Sequence, residues 1–350
     1  METASTADDA AGPPLQAPVA PSTSLAEIPG LDIDSQASMG DSDSAIGSME
    51  SSTQSLRDSI YEYVEENGRR FHKYKQGNYL LPNDETEQDR LDLQHHLFTL
   101  TFDGKLHIAP IEELKGGIHN VLDIGTGTGI WAIDFAATYP SANVVGTDLS
   151  PIQPNFVPAN CSFEVDDAED EWVFPQKFDY IHGRALMSCF KNHKTVWEHA
   201  FKALRPGGIL ELQDLQMPLR YVDSTGEGTA MKLWNERFMA GALVLGRDFT
   251  KVAKYKAVLE EVGFADVVEK LYYWPVGTWA RGKKMKTLGA WYREDCLAGL
   301  HAASALIFTR ALKMTPDAVE LFLVDVRRDM RDNRIHAYVP VYVVYGRKPQ

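Results

Sequence analysis

A glycine-rich loop between a short apolar strand and a helical segment constrains the fold of this chain more than any other feature. The loop comprises residues 125–129 (GTGTG); residues 120–124 before it are mainly apolar, and residues 130–136 after it have a helical period. Glycine lets the backbone approach a ligand closely, and the first turn of the following helix offers free N–H groups. This unit predicts a parallel α/β sheet with a ligand site at the loop.

Strands and helices continue to alternate after the loop, which indicates a doubly wound sheet. Four more short apolar segments are predicted strands: 142–146, 162–165, 178–181 and 209–212. Beyond them the periodicity predicts helices at 229–245 and 251–262, a strand at 267–273 and two helices between Lys286 and Met330. The final segment, 337–345, predicts an antiparallel closing strand, with Pro340 at an edge or bulge because proline lacks an N–H.

The composition of the chain changes at about residue 60. Residues 1–59 contain ten acidic residues against Arg57 alone, so they carry −9 of the net charge of −14. Such a segment buries too little apolar surface to offset its chain entropy, which predicts a disordered acidic tail. A folded domain is predicted from residue 60 to 350. It begins with helical segments over 61–96, the second of them capped by Asn83 or Asp84.

Charge and composition argue against several classes of function. The acidic balance argues against direct nucleic-acid binding, and the short basic cluster at 69–75 is either a solvated face or a nuclear-localisation signal. The sequence shows neither a secretory signal nor a run of about 20 apolar residues, so neither secretion nor a membrane span is expected. Three widely spaced cysteines favour a cytoplasmic or nuclear location. Adjacent His95 and His96 face different directions on a helix, so no metal site is predicted.

Acidic residues near the ends of three predicted strands indicate which cofactor the loop binds. Asp123 precedes the loop, Asp148 follows about 20 residues after it, and Asp166-Asp167 follow the third strand. The alternative is a nicotinamide dinucleotide site, but the position of its third glycine is Ile130, and Asp123 would lie near a diphosphate. The cationic sulfonium and amino groups of S-adenosylmethionine suit an acid-flanked loop better.

Residues 121–132 (VLDIGTGTGIWA) resemble motif I of class I S-adenosylmethionine-dependent methyltransferases, and further segments resemble the fungal LaeA-type methyltransferases of secondary metabolism. These segments are 79–85 (YLLPNDE), 89–95 (DRLDLQH), 152–154 (IQP) and 204–208 (LRPGG). The resemblance covers roughly residues 60–292 well and the final helices in outline. It implies a Rossmann-like domain with an N-terminal helical lid (60–115), a cofactor-binding core (116–215) and substrate-side helices and closing strands (216–350).

The resemblance also implies particular cofactor contacts. Asp148 is expected to accept hydrogen bonds from both ribose hydroxyls, and Asp167 or Asp166 to meet the adenine amino group beside Ala168. The methionine part of the cofactor is expected to lie along three glycines, Gly125, Gly127 and Gly129. Asp123 is expected either to fix the loop alone or also to reach the cofactor amine through water.

Methyl transfer from a sulfonium needs chiefly alignment and desolvation of the acceptor, so a catalytic triad is not required. His182, placed after the fourth predicted strand, is either a base or substrate contact or a hydrogen-bonded structural histidine. Arg184 is expected to orient a carboxylate or to pair with Asp179 or Glu211. Tyr79 is expected to contact the cofactor from the lid.

Three functions remain open from the sequence. The first is a methyltransferase of fungal secondary metabolism that modifies an O, N or C atom of a small molecule, in a pocket formed largely by residues 226–300. The second is a LaeA-like nuclear regulator that acts through protein methylation or through partners bound by the acidic tail. The third is a binding module that has lost its chemistry; the intact glycine loop and Asp148 argue against it.

Overall fold

The computed structural model describes residues 31–32, 63–66, 69–72 and 81–350. Of the predicted acidic tail, only Leu31 and Asp32 are therefore described, and Tyr79 lies outside the described residues. Leu31 is buried in a small apolar cluster with Trp279 and Tyr338. Asp32 accepts a hydrogen bond through its backbone oxygen from the backbone N–H of Arg281 at 2.6 Å. These two residues are thus packed on the domain.

The described elements alternate in the order expected for a doubly wound fold. In chain order they are β1 (Tyr63–Glu66), β2 (Arg69–His72), α1 (Glu85–Thr101), β3 (Asn120–Ile124), α2 (Ile130–Thr138), β4 (Asn143–Asp148), β5 (Cys161–Val165), β6 (Phe178–Arg184), α3 (His193–Ala203), β7 (Leu204–Leu215), β8 (Arg220–Tyr221), α4 (Ala230–Val244), α5 (Tyr255–Val262), β9 (Ala265–Pro275), α6 (Lys283–Leu306), α7 (Pro316–Arg331) and β10 (Ala337–Arg347).

The main sheet has the order β5-β4-β3-β6-β7-β10, with β9 on the far side of β10 and the short β8 pairing with the start of β10. The strands from β5 to β7 are parallel, and β10 runs antiparallel to β7 and β9. The predicted mostly parallel sheet with an antiparallel closing strand is therefore confirmed. Since β4 and β6 flank β3 on opposite sides, the loop after β3 lies at the topological switch point, where such sheets bind ligands.

The first part of the predicted helical lid is wrong. Strands β1 and β2 pair antiparallel, with Glu65 opposite Arg70 and Glu66 opposite Arg69. Arg69 on β2 donates to both carboxylate oxygens of Asp84, at 2.6 and 2.8 Å, which ties the strand pair to the N-terminus of α1. Helix α1 follows as predicted, and the Asp84 side chain caps it by accepting from the backbone N–H of Glu87 at 3.1 Å.

Pro340 does not lie on an edge strand, because β10 is an inner strand between β7 and β9. Its carbonyl faces the β7 side and accepts from the backbone N–H of Gln216 at 2.9 Å. The regular ladder between β7 and β10 ends at the neighbouring pair, Leu215 with Val341. The missing N–H of Pro340 therefore falls just beyond the end of a ladder, which is why an inner strand tolerates it.

Helices cover both faces of the sheet, and a separate helical layer extends beyond β7 and β10. On one face α2 packs Trp131 and Phe135 against the sheet, and on the other α3 and α5 pack Trp197 and Tyr255. The extra layer contains α1, α4, α6 and α7, and the core that it forms with the sheet buries Trp274 of β9 and Phe308, which follows α6. Helix α1 contacts both α2 and α6, so it bridges the glycine loop and the extra layer.

Candidate cofactor and substrate site

The glycine loop depends on backbone conformations and close contacts that only glycine allows. Gly125 and Gly129 have φ of +62° and +82°, in the left-handed region. A Cβ on Gly125 would lie 2.6 Å from Cδ2 of Leu186, and a Cβ on Gly129 would overlap the ring of Phe163 on β5. The loop is therefore packed tightly between β3, β5 and the segment after β6.

Asp148, the last residue of β4, is held at the loop by two backbone N–H groups. Its Oδ2 accepts from the N–H of Gly127 and its Oδ1 from the N–H of Ser150, each at 2.9 Å. Burial raises the pKa of this carboxyl to about 6. The side chain thus presents its remaining acceptor capacity to the cleft in front of the loop.

Asp123 and His182 form a buried dyad beneath the loop, on neighbouring strands where they are register partners. Asp123 Oδ2 accepts from the hydroxyl of Thr126 at 2.6 Å, and His182 Nδ1 lies 2.7 Å from Oδ1, so Nδ1 donates to the carboxylate. The imidazole stacks on Trp131 with ring centroids 3.7 Å apart. His182 lies within β6, not after it as predicted, and among the described residues its Nε2 has no hydrogen-bond partner.

The acidic segment after β5 lies across the cleft from the glycine loop. The backbone N–H of Asp166 donates to the backbone oxygen of Asp148 at 3.0 Å, which joins the two strand ends. Asp167 is buried and its Oδ1 accepts from the N–H of Glu169 at 3.0 Å. The carbonyl of Ala168 accepts from the indole N–H of Trp172. These contacts fix the loop that follows β5 at the cleft wall.

Most of the predicted cofactor residues therefore surround one cleft, a cavity of about 100 Å³. Those that line it are Gly125, Gly127, Asp148, Asp166, Asp167 and Ala168. Asp123 and His182 instead line a smaller cavity of about 40 Å³ beneath the loop, which shares Gly125 and Gly127 with the cleft. Gly129 lies behind the loop, against Phe163.

Arg184 at the end of β6 pairs with neither predicted acid. Asp179 is bound by Arg205, and Glu211 accepts from the backbone N–H groups of residues 108 and 109. Arg184 lines both cavities, and its Nη2 lies 2.9 Å from Nδ1 of His95 on α1. Since a guanidinium can only donate, Nδ1 is the acceptor, and Nε2 donates to Asp134 at 3.1 Å.

His95 is therefore part of the contact between α1 and the sheet. Burial lowers the pKa of His95 to about 3, so the ring is neutral. The adjacent His96 turns away and meets the ring of Trp291 edge-on. Within the described ranges, no three His, Cys, Asp or Glu side chains are grouped closely enough to hold a metal ion.

A third cavity, which we call the chamber, lies next to the cleft and has a volume of about 150 Å³. Its walls are mainly apolar side chains from α4, α6 and the segment after β7, among them Trp234, Phe238, Tyr292 and Leu300. The predicted region 226–300 supplies part of this lining, and α1 supplies another part. Leu91 and Ala185 line both the cleft and the chamber.

Comparison with known proteins places this chain in a defined family. Residues 93–269 match the family model described as a methyltransferase domain. Methyltransferase pytC of Aspergillus terreus is 37% identical over 91% of this chain and 96% of its own length. The probable methyltransferase tdiE of Emericella nidulans is 32% identical over 84% of this chain and 92% of its own. The chain therefore belongs to the methyltransferase-domain family.

Regulators belong to the same group of relatives. The secondary metabolism regulator laeA of Aspergillus flavus is 33% identical over 82% of this chain and 78% of its own length. Among solved structures, phosphoethanolamine N-methyltransferase 2 of Haemonchus contortus with S-adenosyl-L-methionine aligns at a TM-score of 0.43 and 16% identity, over 84% of this chain and 72% of that chain. In the part of the chain that the structure describes, no helix is long and apolar enough to cross a membrane.

Proposed function

We propose that this protein transfers the methyl group of S-adenosylmethionine to a small molecule bound in the chamber. The observation that carries the proposal is that Leu91 and Ala185 line both the cleft and the chamber, so the two cavities are adjacent. A cofactor in the cleft would lie beside an acceptor in the chamber, and their alignment in a largely apolar space supplies most of what methyl transfer needs. When bound, S-adenosylmethionine supplies the electrophilic methyl group.

The residues around the cleft suit the parts of this cofactor. Asp148 is proposed to accept hydrogen bonds from the two ribose hydroxyls, and Asp167 or Asp166 to accept one from the adenine amino group near Ala168. The backbone of Gly125 and Gly127 is proposed to lie along the methionine part, with Gly129 supporting the loop from behind. Contact of the lid residue Tyr79 with the cofactor stays a prediction.

The dyad beneath the loop is proposed to position the loop. Asp123 connects the hydroxyl of Thr126 to the imidazole of His182, so both residues act on the loop's shape. His182 lines the cavity beneath the loop, whereas the chamber is lined by other residues. Proton transfer by His182, the role expected from the sequence, would require the acceptor atom to reach the unpartnered Nε2.

A labelling experiment tests the proposed function. The full chain is incubated with S-adenosyl-[methyl-14C]methionine and a small-molecule extract of a filamentous fungus, and the label is followed into extractable compounds. We expect the label to enter a small molecule, and the Asp148→Ala variant to lose this activity. Label that enters only protein, or no acceptor at all, would contradict the proposal.

A second candidate function is regulation, which the similarity to laeA of Aspergillus flavus favours. A regulator would act in the nucleus through a protein partner that the acidic tail binds. A small-molecule enzyme would be cytoplasmic or nuclear. Deleting residues 1–30 removes much of the tail and keeps Leu31, which packs on the domain. Small-molecule methylation that survives this deletion supports the enzyme; loss of a nuclear protein partner with the same deletion supports the regulator.

A further inference from the structure

One wall of the chamber carries a buried cluster of charged residues from α1 and α6. Glu87 and Asp295 are only 2% and 5% exposed. Arg90 bridges them, since its Nη2 lies 2.7 Å from Oε1 of Glu87 and its Nη1 lies 2.8 Å from Oδ1 of Asp295. All three residues line the chamber. We call them the acidic wall.

The acidic wall gives the chamber an excess of negative charge and of hydrogen-bond acceptors. Two carboxylates face one guanidinium, and the remaining chamber lining among the described residues includes no further Arg and no Lys. A carboxylate pair offers about eight acceptor positions. Its side-chain donors in the chamber lining are Arg90 and, at Asp295, Gln94, which leave part of this capacity for a ligand. Burial raises the pKa of Asp295, an effect that the Arg90 guanidinium opposes, and raises the pKa of Asp214, another carboxyl of the lining, to about 7. The excess negative charge at neutral pH is therefore assigned to Glu87 and Asp295.

The rest of the chamber suits an apolar ring. Trp234, Phe238 and Tyr292 line it, and aromatic faces attract cations as well as apolar groups. The volume of about 150 Å³ is similar to that of cavities that hold a single benzene ring. A ligand that fills the chamber therefore presents its polar end to the acidic wall.

We infer that the chamber selects an apolar, ring-bearing molecule whose polar end is an amine, recognised by Glu87 and Asp295, and that it rejects carboxylates. This inference rests on the proposed function, because it names the substrate class of the same site. An ammonium group would donate to the remaining lone pairs of the two carboxylates and offset their excess charge. A carboxylate in the same place would face like charge in a desolvated pocket, which is an effective means of exclusion.

Three probes of nearly equal size test the inference: benzylamine, benzyl alcohol and benzoate. Each is titrated at neutral pH into the full chain saturated with S-adenosylhomocysteine, and binding is measured by ligand-detected NMR. We expect benzylamine to bind about tenfold or more tightly than benzoate, with benzyl alcohol between them, because like charges repel strongly where solvent is excluded. Equal or tighter binding of benzoate, or no binding of any probe, overturns the inference.

Variants connect the preference to the acidic wall. Asp295→Asn should bring the ratio of benzylamine to benzoate affinity towards one, whereas Glu294→Gln, an exposed acid on the same helix, should leave it unchanged. If Asp295→Asn does not fold, Glu87→Gln makes the same test from α1. An equal effect of Glu294→Gln overturns the role of the acidic wall. If the wild type does not bind S-adenosylhomocysteine, the proposed function itself is contradicted. If it binds S-adenosylhomocysteine but shows no preference among the three probes, only this inference is contradicted.

Discussion

The imidazole of His182 donates from Nδ1 to Asp123 Oδ1 at 2.7 Å, and both side chains are almost completely buried. The two residues lie side by side on β6 and β3, directly beneath the glycine loop. Asp123 also accepts from Thr126 within the loop, so the dyad connects the sheet to the loop. The cleft in front of the loop is therefore supported from beneath by a buried polar pair.

Replacing His182 tests this connection. His182→Phe keeps a ring against Trp131 but removes a donor from the buried Asp123, so the free energy of unfolding in urea should fall by about 1–3 kcal/mol. S-adenosylmethionine affinity should fall as well, because the loop loses its support. His96→Phe is the control, since His96 is exposed. If S-adenosylmethionine affinity is unchanged but the rate of methyl transfer is lost, His182 instead acts as a base.

Gly129→Ala tests the close packing of the loop on β5. Both Gly129 and Gly104 have φ above +80°, but a Cβ would meet the Phe163 ring only at Gly129, whereas Gly104 has no atom within 4 Å. Gly104→Ala should cost about 1–2 kcal/mol of unfolding free energy, the cost of the left-handed backbone alone. Gly129→Ala should cost about 1–3 kcal/mol more because of the overlap. Equal losses in chemical denaturation would show that Phe163 moves aside freely.

The raised pKa of Asp148 predicts a pH-dependent affinity for the cofactor. The ribose hydroxyls need the carboxylate form, so binding of S-adenosylhomocysteine should weaken about tenfold per pH unit below the pKa of about 6, and stay constant above about pH 7. Calorimetric titrations from pH 5 to pH 8 measure this. In the Asp148→Asn variant the affinity should be lower and flat with pH. A flat profile in the wild type would contradict the proposed role of Asp148.

The same pKa has the opposite effect on the stability of the free protein. The folded state holds the proton of Asp148 more tightly than the unfolded chain, whose carboxyl has the ordinary pKa of 3.8. The contribution of Asp148 to the free energy of unfolding is therefore present below pH 3.8 and decreases as the pH rises towards about 6. The difference in the free energy of unfolding between the wild type and Asp148→Asn isolates this contribution, because Asp214 titrates in both proteins. If the unfolding free energy of the wild type rises relative to that of Asp148→Asn over this pH range, the raised pKa of Asp148 is contradicted.

Local patterns were sufficient to predict the core of the fold. The strand at residues 120–124, the loop after it and the cap of α1 at Asp84 all depend on neighbours within a few positions, and the structure confirms them. The antiparallel pair of β1 and β2 was missed because its four-residue strands are too short to show a clear period. Asn67-Gly68, a dipeptide that favours tight hairpin turns, was the available signal.

The chamber and the surroundings of His182 were not predictable from local patterns. Arg90 and Asp295 are 205 positions apart in the sequence, and nothing in either helix indicates that they meet. His182 lies in β6 just after Tyr180 and Ile181, and the predicted end of this strand was placed too early, so the burial of His182 against Trp131 was not visible. Contacts of this kind depend on how helices pack across the sheet, which the period of a single segment does not specify.

Calorimetric titration of the full chain with S-adenosylmethionine, and separately with NAD, tests the central claim most directly. We predict micromolar binding of S-adenosylmethionine and none of NAD. Asp148→Ala should weaken the binding by about 1–3 kcal/mol, as expected for the loss of charge-assisted hydrogen bonds, while Glu164→Gln, an exposed acid on the neighbouring strand, should leave it unchanged. Binding of NAD in place of S-adenosylmethionine, or an equal effect of the two variants, would contradict the account.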